Sequence, residues 1–356
     1  GCTTRKKESS ADHFSDDTAP LSLWLLLDRI AGMAAKTDFS EQQLREILSH
    51  YQLGEYTASQ PIPQGSVQTN FFLSTTQGTF VFRYYENRSI GSVLFECYLM
   101  HYLKNKHFPC PAPLKNKKGK YIGIAHEKPY VIFEWIEGQH VEHPTEEQKK
   151  QLIQKVAELQ IMTKKYRPCY KNHRWNYGME LCRELANVAA QELGTTAAED
   201  KLAWVEQELA KLQLPKSLPK GICHGDFHFS NILFKDGKFR ALLDFDDANY
   251  TFLIYDLATL INPFLPSFDW ETWSRFQKDE QVFDFKEARE TVLEYCVYRP
   301  LSRNEKSHLF DVYKLTILFD CIWYFHRGEG QDFYEKRKID ALNRLGREQF
   351  YHMLFI

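Results

Sequence analysis

Ile222-Cys223-His224-Gly225-Asp226-Phe227-His228-Phe229-Ser230-Asn231-Ile232-Leu233-Phe234 is the stretch on which the reading of this chain turns. Thirteen residues past Asn231 comes Asp244, inside Leu242-Leu243-Asp244-Phe245-Asp246-Asp247, and soon after that Tyr255-Asp256-Leu257-Ala258. The apolar runs on either side predict short strands between 221 and 245, with polar loops between them. Three oxygen-bearing side chains stand out by position. Asp226, on a loop, has a carboxylate able to accept a proton from a hydroxyl. Asn231, five residues on, offers an amide oxygen to a hard cation, and Asp244, on the following hairpin, offers a carboxylate to the same ion.

Phosphoryl transfer from ATP calls for this set. The chemistry needs little covalent help; it needs an aligned nucleophile and metal ions that offset charge on the phosphates. Asp226 then reads as the catalytic base, and Asn231 and Asp244 as ligands of Mg²⁺, in kinase order and spacing. Any one fragment reads equally well as turn residues between strands; the ordered constellation does not. His224 and His228 read first as supports of the loop backbone, and Asp256 as a bracing carboxylate. Asp246 and Asp247 either touch a second metal or face solvent.

Working outward, Thr37-Asp38-Phe39-Ser40-Glu41 supplies capping residues for a helix with Leu44, Ile47 and Leu48 on one face. The period then changes. Residues 56–64, 69–75 and 79–85 predict strands, the last two joined at Thr76-Gln77-Gly78, and residues 90–105 return to helical spacing before Pro109-Cys110-Pro111-Ala112-Pro113. Two more strands are expected near 120–125 and 130–136. Beyond Glu146 the pattern is mainly helical apart from the strands around Asp226. The expectation is an α+β chain in two lobes: a β-rich one over 33–137 and a helix-rich one over 138–356, joined near Glu137-Gly138.

Composition narrows the class. Of 356 residues 43% are hydrophobic and 26% charged, with a net charge of −2, so the chain reads as soluble and carries no electrostatic footprint for nucleic acid. The eight cysteines are scattered, with none at the close spacing of a zinc site, which reads as reduced thiols in a cytoplasmic protein. Leu21 to Leu27 is too short to span a membrane, and the polar, acidic spacer before it is wrong for a signal peptide. Residues 1–32 read as an extension ahead of a body that starts near Met33.

The motifs closely resemble those of the aminoglycoside phosphotransferase and choline kinase superfamily, whose members carry H-G-D-x-H-x-x-N, then (I/L)-D-(F/W), then D-L-A. The resemblance runs from about Thr37 to the end of the chain. It implies a bilobal, protein-kinase-like fold, with ATP and Mg²⁺ as cofactors and a small-molecule hydroxyl as acceptor. It also implies further site residues. Pro63-Gln64-Gly65-Ser66-Val67-Gln68-Thr69-Asn70 looks like the loop over the phosphates, with Gly65 and Ser66 at its tip, although a plain hairpin turn fits as well. Arg83 falls where the family places a strand Lys or Arg, and Glu96 on the next helix is its expected partner. Tyr130 to Gly138 resembles the hinge, where backbone groups of Glu134 and Ile136 would meet the adenine edge.

Within the superfamily the chain looks most like the type II homoserine kinases. Met33 to Ser40, Gly65 to Leu73, Cys110-Pro111-Ala112-Pro113-Leu114 and Arg299-Pro300-Leu301-Ser302 carry that likeness. The loop departs from it: those kinases tend toward H-A-D-L-F-x-D-N, and His224-Gly225-Asp226 is nearer the antibiotic and choline types. The expected acceptor is homoserine, with Arg299 and the acidic residues Asp244, Asp246 and Asp247 as candidate contacts for a zwitterion. Antibiotic or choline-type acceptors are the alternatives, the large-lobe aromatics (Trp175, Tyr177, Trp204, Trp270, Trp273, Trp323, Tyr324) leaving a quaternary-ammonium cage open. A kinase-fold protein that binds without turnover is the third possibility.

Overall fold

Ser40 opens the first helix, α1 (Glu41–Ser49), with a capping box: its hydroxyl accepts from the Gln43 N–H at 3.3 Å, and the Gln43 amide oxygen accepts from the Ser40 N–H at 2.8 Å. The computed structural model describes residues 36–62, 67–262, 282–323, 325 and 336–356. The proposed extension at 1–32, the Gly65-Ser66 loop tip, Trp270, Trp273 and Tyr324 lie outside the described residues, and of Trp323 only the backbone is described.

After α1 come β1 (Tyr56–Pro61), β2 (Thr69–Thr75), β3 (Gly78–Tyr84), α2 (Ile90–Asn105), β4 (Ile122–Ala125) and β5 (Lys128–Glu134). The strands make one antiparallel sheet in the order β1-β2-β3-β5-β4. The two-residue connection Thr76-Gln77 sets Thr75 opposite Gly78, so Phe71 pairs with Phe82, and Phe82 with Ile132. Those side chains share a face, because successive residues on a strand alternate sides. Against that face α1 buries Leu44, Ile47 and Leu48, each contributing roughly 1.5–3 kcal/mol of transfer free energy. One residue out of step, the other face carries Asn70, Arg83 and Val131 side by side.

The remainder runs α3 (Glu146–Thr163), α4 (Met179–Leu193), α5 (Thr196–Ala210), β6 (Lys220–Cys223), β7 (Ile232–Lys235), β8 (Lys238–Leu242), β9 (Asn249–Phe252), α6 (Tyr255–Leu260), α7 (Phe285–Tyr298), α8 (Arg303–Trp323) and α9 (Lys336–Phe355). β6 pairs with β9 and β7 with β8, both antiparallel, so one strand beyond the expected cluster closes this region. α9 is broken at Gly346, whose backbone (φ 77°) is left-handed.

The chain divides into two compact units. One holds residues up to Ile136 together with Lys165–Arg174; the other holds Glu137–Lys164 and Trp175–Ile356. The return of 165–174 to the first unit has no counterpart in the sequence reading, which assigned everything past Gly138 to one body. Among the described residues no helix is long and apolar enough to cross a membrane. Cys97, Cys110, Cys182, Cys223, Cys296 and Cys321 are free thiols, and Cys169, against expectation, is disulfide-bonded.

Candidate active site

The loop between β6 and β7 is built around a buried imidazole. The His224 Nε2–H donates to the Leu243 carbonyl at 2.9 Å, while its Nδ1 accepts from the Asp226 N–H at 3.3 Å. With both ring nitrogens so used, the ring ties the loop of Asp226 to the segment that delivers Asp244. The Asp256 carboxylate, at the start of α6, accepts from the N–H groups of His224 and Gly225, both at 2.9 Å. Burial raises its pKa, and the two N–H bonds pull the other way. His228 caps the tight turn Phe229–Asn231, its Nδ1 accepting from the Ser230 N–H at 3.2 Å. Both histidines hold backbone.

Gly225 is the residue that this backbone takes without strain. Its φ is +81°, and a Cβ there would sit 2.7 Å from the Asp247 carbonyl oxygen and 3.2 Å from the Tyr177 ring. Strain and collision therefore act together.

Asn231 links the three sequence-picked side chains. Its amide nitrogen donates to the Asp226 carboxylate at 2.7 Å and to the Asp226 carbonyl at 3.0 Å. With the nitrogen committed to Asp226, the amide oxygen is the atom presented as a ligand. The Asn231 carbonyl in turn accepts from the Leu243 N–H at 2.7 Å, which fixes the register of the residue just before Asp244. Asp244 itself is left-handed (φ 56°, ψ 67°), a conformation that an ordinary residue holds only when its surroundings impose it. Asp226 reaches solvent as a residue, yet the protein packed around its carboxylate raises its pKa by desolvation. Asp247 adds to the rise and Asp244 a little more, against His224 and the Asn231 hydrogen bond.

Asp247 has a definite partner. The Tyr177 hydroxyl donates to its carboxylate at 2.9 Å. Tyr177 is buried, stacked on Tyr255 at 5.4 Å, and its N–H donates to the Asn249 amide oxygen at 3.1 Å. Asn176, next in chain, accepts from the Tyr250 N–H at 2.9 Å. Asn176, Tyr177 and Asn249 thus brace the hairpin of Asp244. No sequence motif singles them out for this role, because the bonds join segments some seventy residues apart.

In the other unit, Arg83 lies 3.7 Å from the buried Glu96 of α2, so the expected pair is present. Asn70, which the sequence placed only at the end of the phosphate loop, takes the Arg83 Nε–H at 3.0 Å and orients the guanidinium. At the end of β5 the Glu134 N–H donates to the Ala112 carbonyl at 3.0 Å, and the Glu134 carboxylate pairs with Lys104. That N–H is therefore committed. The Ile136 N–H makes no hydrogen bond among the described residues.

Arg299, suggested by sequence as a substrate contact, has partners within its own segment. Arg299 is paired with Glu305 and donates to the Tyr295 hydroxyl at 2.9 Å, while Glu305 also accepts from the N–H and hydroxyl of Ser302, each at 2.9 Å. Arg299-Pro300-Leu301-Ser302 is thus the capping structure of α8, with its cation paired inside that structure.

The oxygen donors at Asn231 and Asp244 suit a hard divalent cation that shares its remaining ligands with phosphates and water. Comparison with known proteins gives the family. The model of the phosphotransferase enzyme family matches residues 59–291. A homoserine kinase of Chelativorans sp. is 30% identical over 77% of this chain and 81% of its own length. That of Parvibaculum lavamentivorans is 28% identical over 87% and 89%. Among solved structures, an amicoumacin kinase in complex with AMP-PNP and Ca²⁺ shares the fold with a TM-score of 0.57 at 16% identity, over 88% of this chain and 94% of its own. A spectinomycin phosphotransferase in complex with ADP does so with a TM-score of 0.55 at 14% identity, over 90% and 96%. With the family model running through the whole of the Asp226–Asp244 loop system, the chain belongs to the phosphotransferase enzyme family.

Proposed function

We propose that the chain is an ATP- and Mg²⁺-dependent kinase of the cytoplasm that phosphorylates the hydroxyl of homoserine. The observation that carries the kinase reading is the Asn231 side chain, whose amide nitrogen holds both the carboxylate and the main-chain carbonyl of Asp226. When bound, Mg²⁺ supplies positive charge against the phosphates and a template for their orientation. Asp226 accepts the proton of the acceptor hydroxyl as the new O–P bond forms and the bond from the γ-phosphorus to the bridging oxygen breaks, leaving ADP. Arg83, oriented by Asn70 and Glu96, is the cation for the nucleotide phosphates. Gly65 and Ser66 cover them, and the Glu134 carbonyl with the Ile136 N–H meets the adenine edge.

Homoserine is supported by eight curated relatives that bear that activity in their names, at 27–30% identity over most of the chain. The His224-Gly225-Asp226 form of the loop favours a second reading, an antibiotic-type hydroxyl. A panel of homoserine, choline, methylthioribose, aminoglycosides and spectinomycin, followed by ADP release and by phosphorus NMR of the product, separates them. The highest kcat/KM is expected for homoserine. A much higher value for another acceptor overturns the substrate and leaves the kinase reading standing.

A further inference from the structure

The helix that carries Glu96 is held along one face by a segment that follows it by some seventy residues. Tyr166 packs on Tyr102 with ring centroids 4.5 Å apart, and Tyr170 stacks on Tyr98 at 6.1 Å with planes 6° from parallel. The Arg174 guanidinium lies 5.0 Å over the Phe95 ring, and its Nη1 donates to the Ser92 carbonyl at 3.1 Å and hydroxyl at 2.9 Å. His173 comes so close to Gly91 that a Cβ on that glycine would meet the ring at 2.5 Å. Positions 91, 92, 95, 98 and 102 follow one another at steps of one, three and four, which is a single stripe along α2.

Two features make the contact specific. Arg174 and Ser92 are both buried, and a buried guanidinium has to be satisfied by fixed partners, so Arg174 holds the first turn of α2 by its main chain. Tyr170 adopts a left-handed backbone (φ 60°), which a bulky residue does at a cost that its stacking on Tyr98 offsets. Glu96, one residue beyond Phe95, reaches Arg83 from the helix that this stripe holds.

We propose that residues 165–174 form a strap that positions α2, with Arg174 its positioning residue, and so set the Arg83–Glu96 pair at the phosphates of the nucleotide. This rests on the kinase reading above. The strap does not touch the reacting atoms; it acts through Glu96.

The test pairs strap variants with a helix variant. Gly91→Ala puts a better helix former into α2 while pushing His173 away; Arg174→Ala removes the clamp; Arg174→Lys keeps a cation within reach of Ser92 but loses the planar stack. Each is made alone and with Glu96→Gln. kcat/KM for ATP should fall about ten- to a hundredfold in Gly91→Ala and Arg174→Ala, the scale of a catalytic group displaced by an ångström. KM for the acceptor should hold, and Arg174→Lys should recover part of the loss. In the Glu96→Gln background the same changes should cost less than about twofold, since coupled residues are not additive. Hydrogen exchange at amides 90–105 should quicken in the strap variants while that of α3 does not. Full additivity with Glu96→Gln, unchanged ATP kinetics, or unchanged exchange at 90–105 overturns the proposal. If Arg174→Ala fails to fold, Gly91→Ala carries the test. A wild-type chain that transfers phosphate to none of the panel refutes the kinase reading, and the exchange data still decide the strap.

Discussion

Asp226 is asked both to be ionised and to sit where ionisation is disfavoured. Its pKa is raised, first by desolvation and then by Asp247, so the folded chain holds its proton more tightly than the unfolded chain does. Ionised Asp226 therefore lowers stability, increasingly as pH rises from the ordinary aspartate value, about 3.9, to the raised one, and by a constant amount above that. Asp226→Asn should consequently melt higher than wild type near neutral pH, with the gap closing in acid, while phosphotransfer falls by about 10²–10⁴-fold. Calorimetry over a pH series alongside kcat checks both; a lower melting temperature at neutral pH would contradict the account. The same reasoning fixes the effect of Asp247→Asn. Removing that negative neighbour lowers the Asp226 pKa, so the acidic limb of the kcat/KM profile should move to lower pH. A profile that stays in place would show that Asp247 does not tune the base.

At the scale of elements, the hairpin of β2 and β3 carries the cation site. Thr76-Gln77 fixes the register, the register sets Asn70 beside Arg83, and Asn70 turns the guanidinium toward Glu96. Asn70→Ala takes one hydrogen bond from a largely buried cation, at about 1–3 kcal/mol. A lower melting temperature and weaker kcat/KM for ATP are expected together; a loss of stability with unchanged ATP kinetics would make Asn70 structural only. This pairing was within reach of the sequence, because the turn at 76–78 was recognised and counting back from it gives the partner of Arg83. The capping box at Ser40, the apolar stripe of α1 and the order of strands were legible for the same reason, being local patterns with a fixed period. The bracing of the loop by Tyr177 and Asn249 was not, since it joins distant segments through single hydrogen bonds. The pairing of Arg299 was hidden for a different reason: a cation in a family-like stretch does not show its buried partner, Glu305, in the sequence.

At the scale of the whole molecule, ligand and fold are linked by mass action. Mg²⁺ with ATP should raise the melting temperature, by about 2.7 kcal/mol of stability at a hundred times Kd. Asp244→Ala should lose most of the Mg²⁺-dependent part of that rise, and an undiminished shift would remove Asp244 from the metal site. The return of residues 165–174 to the first unit bears on how the chain is made as well as on how it works. Neither unit is one continuous run of sequence. A ribosome that has finished Ile136 has not yet supplied the face that covers α2; at 5–20 residues per second the missing piece follows roughly 2–8 s later. Through that interval the nascent helix lacks Tyr170 and Arg174, and its rings at Phe95, Tyr98 and Tyr102 are open to whatever else is near, a chaperone included. A fragment cut at Ile136 would stay in that condition for good, whereas two polypeptides divided after Arg174 would leave the first unit with all of its own chain.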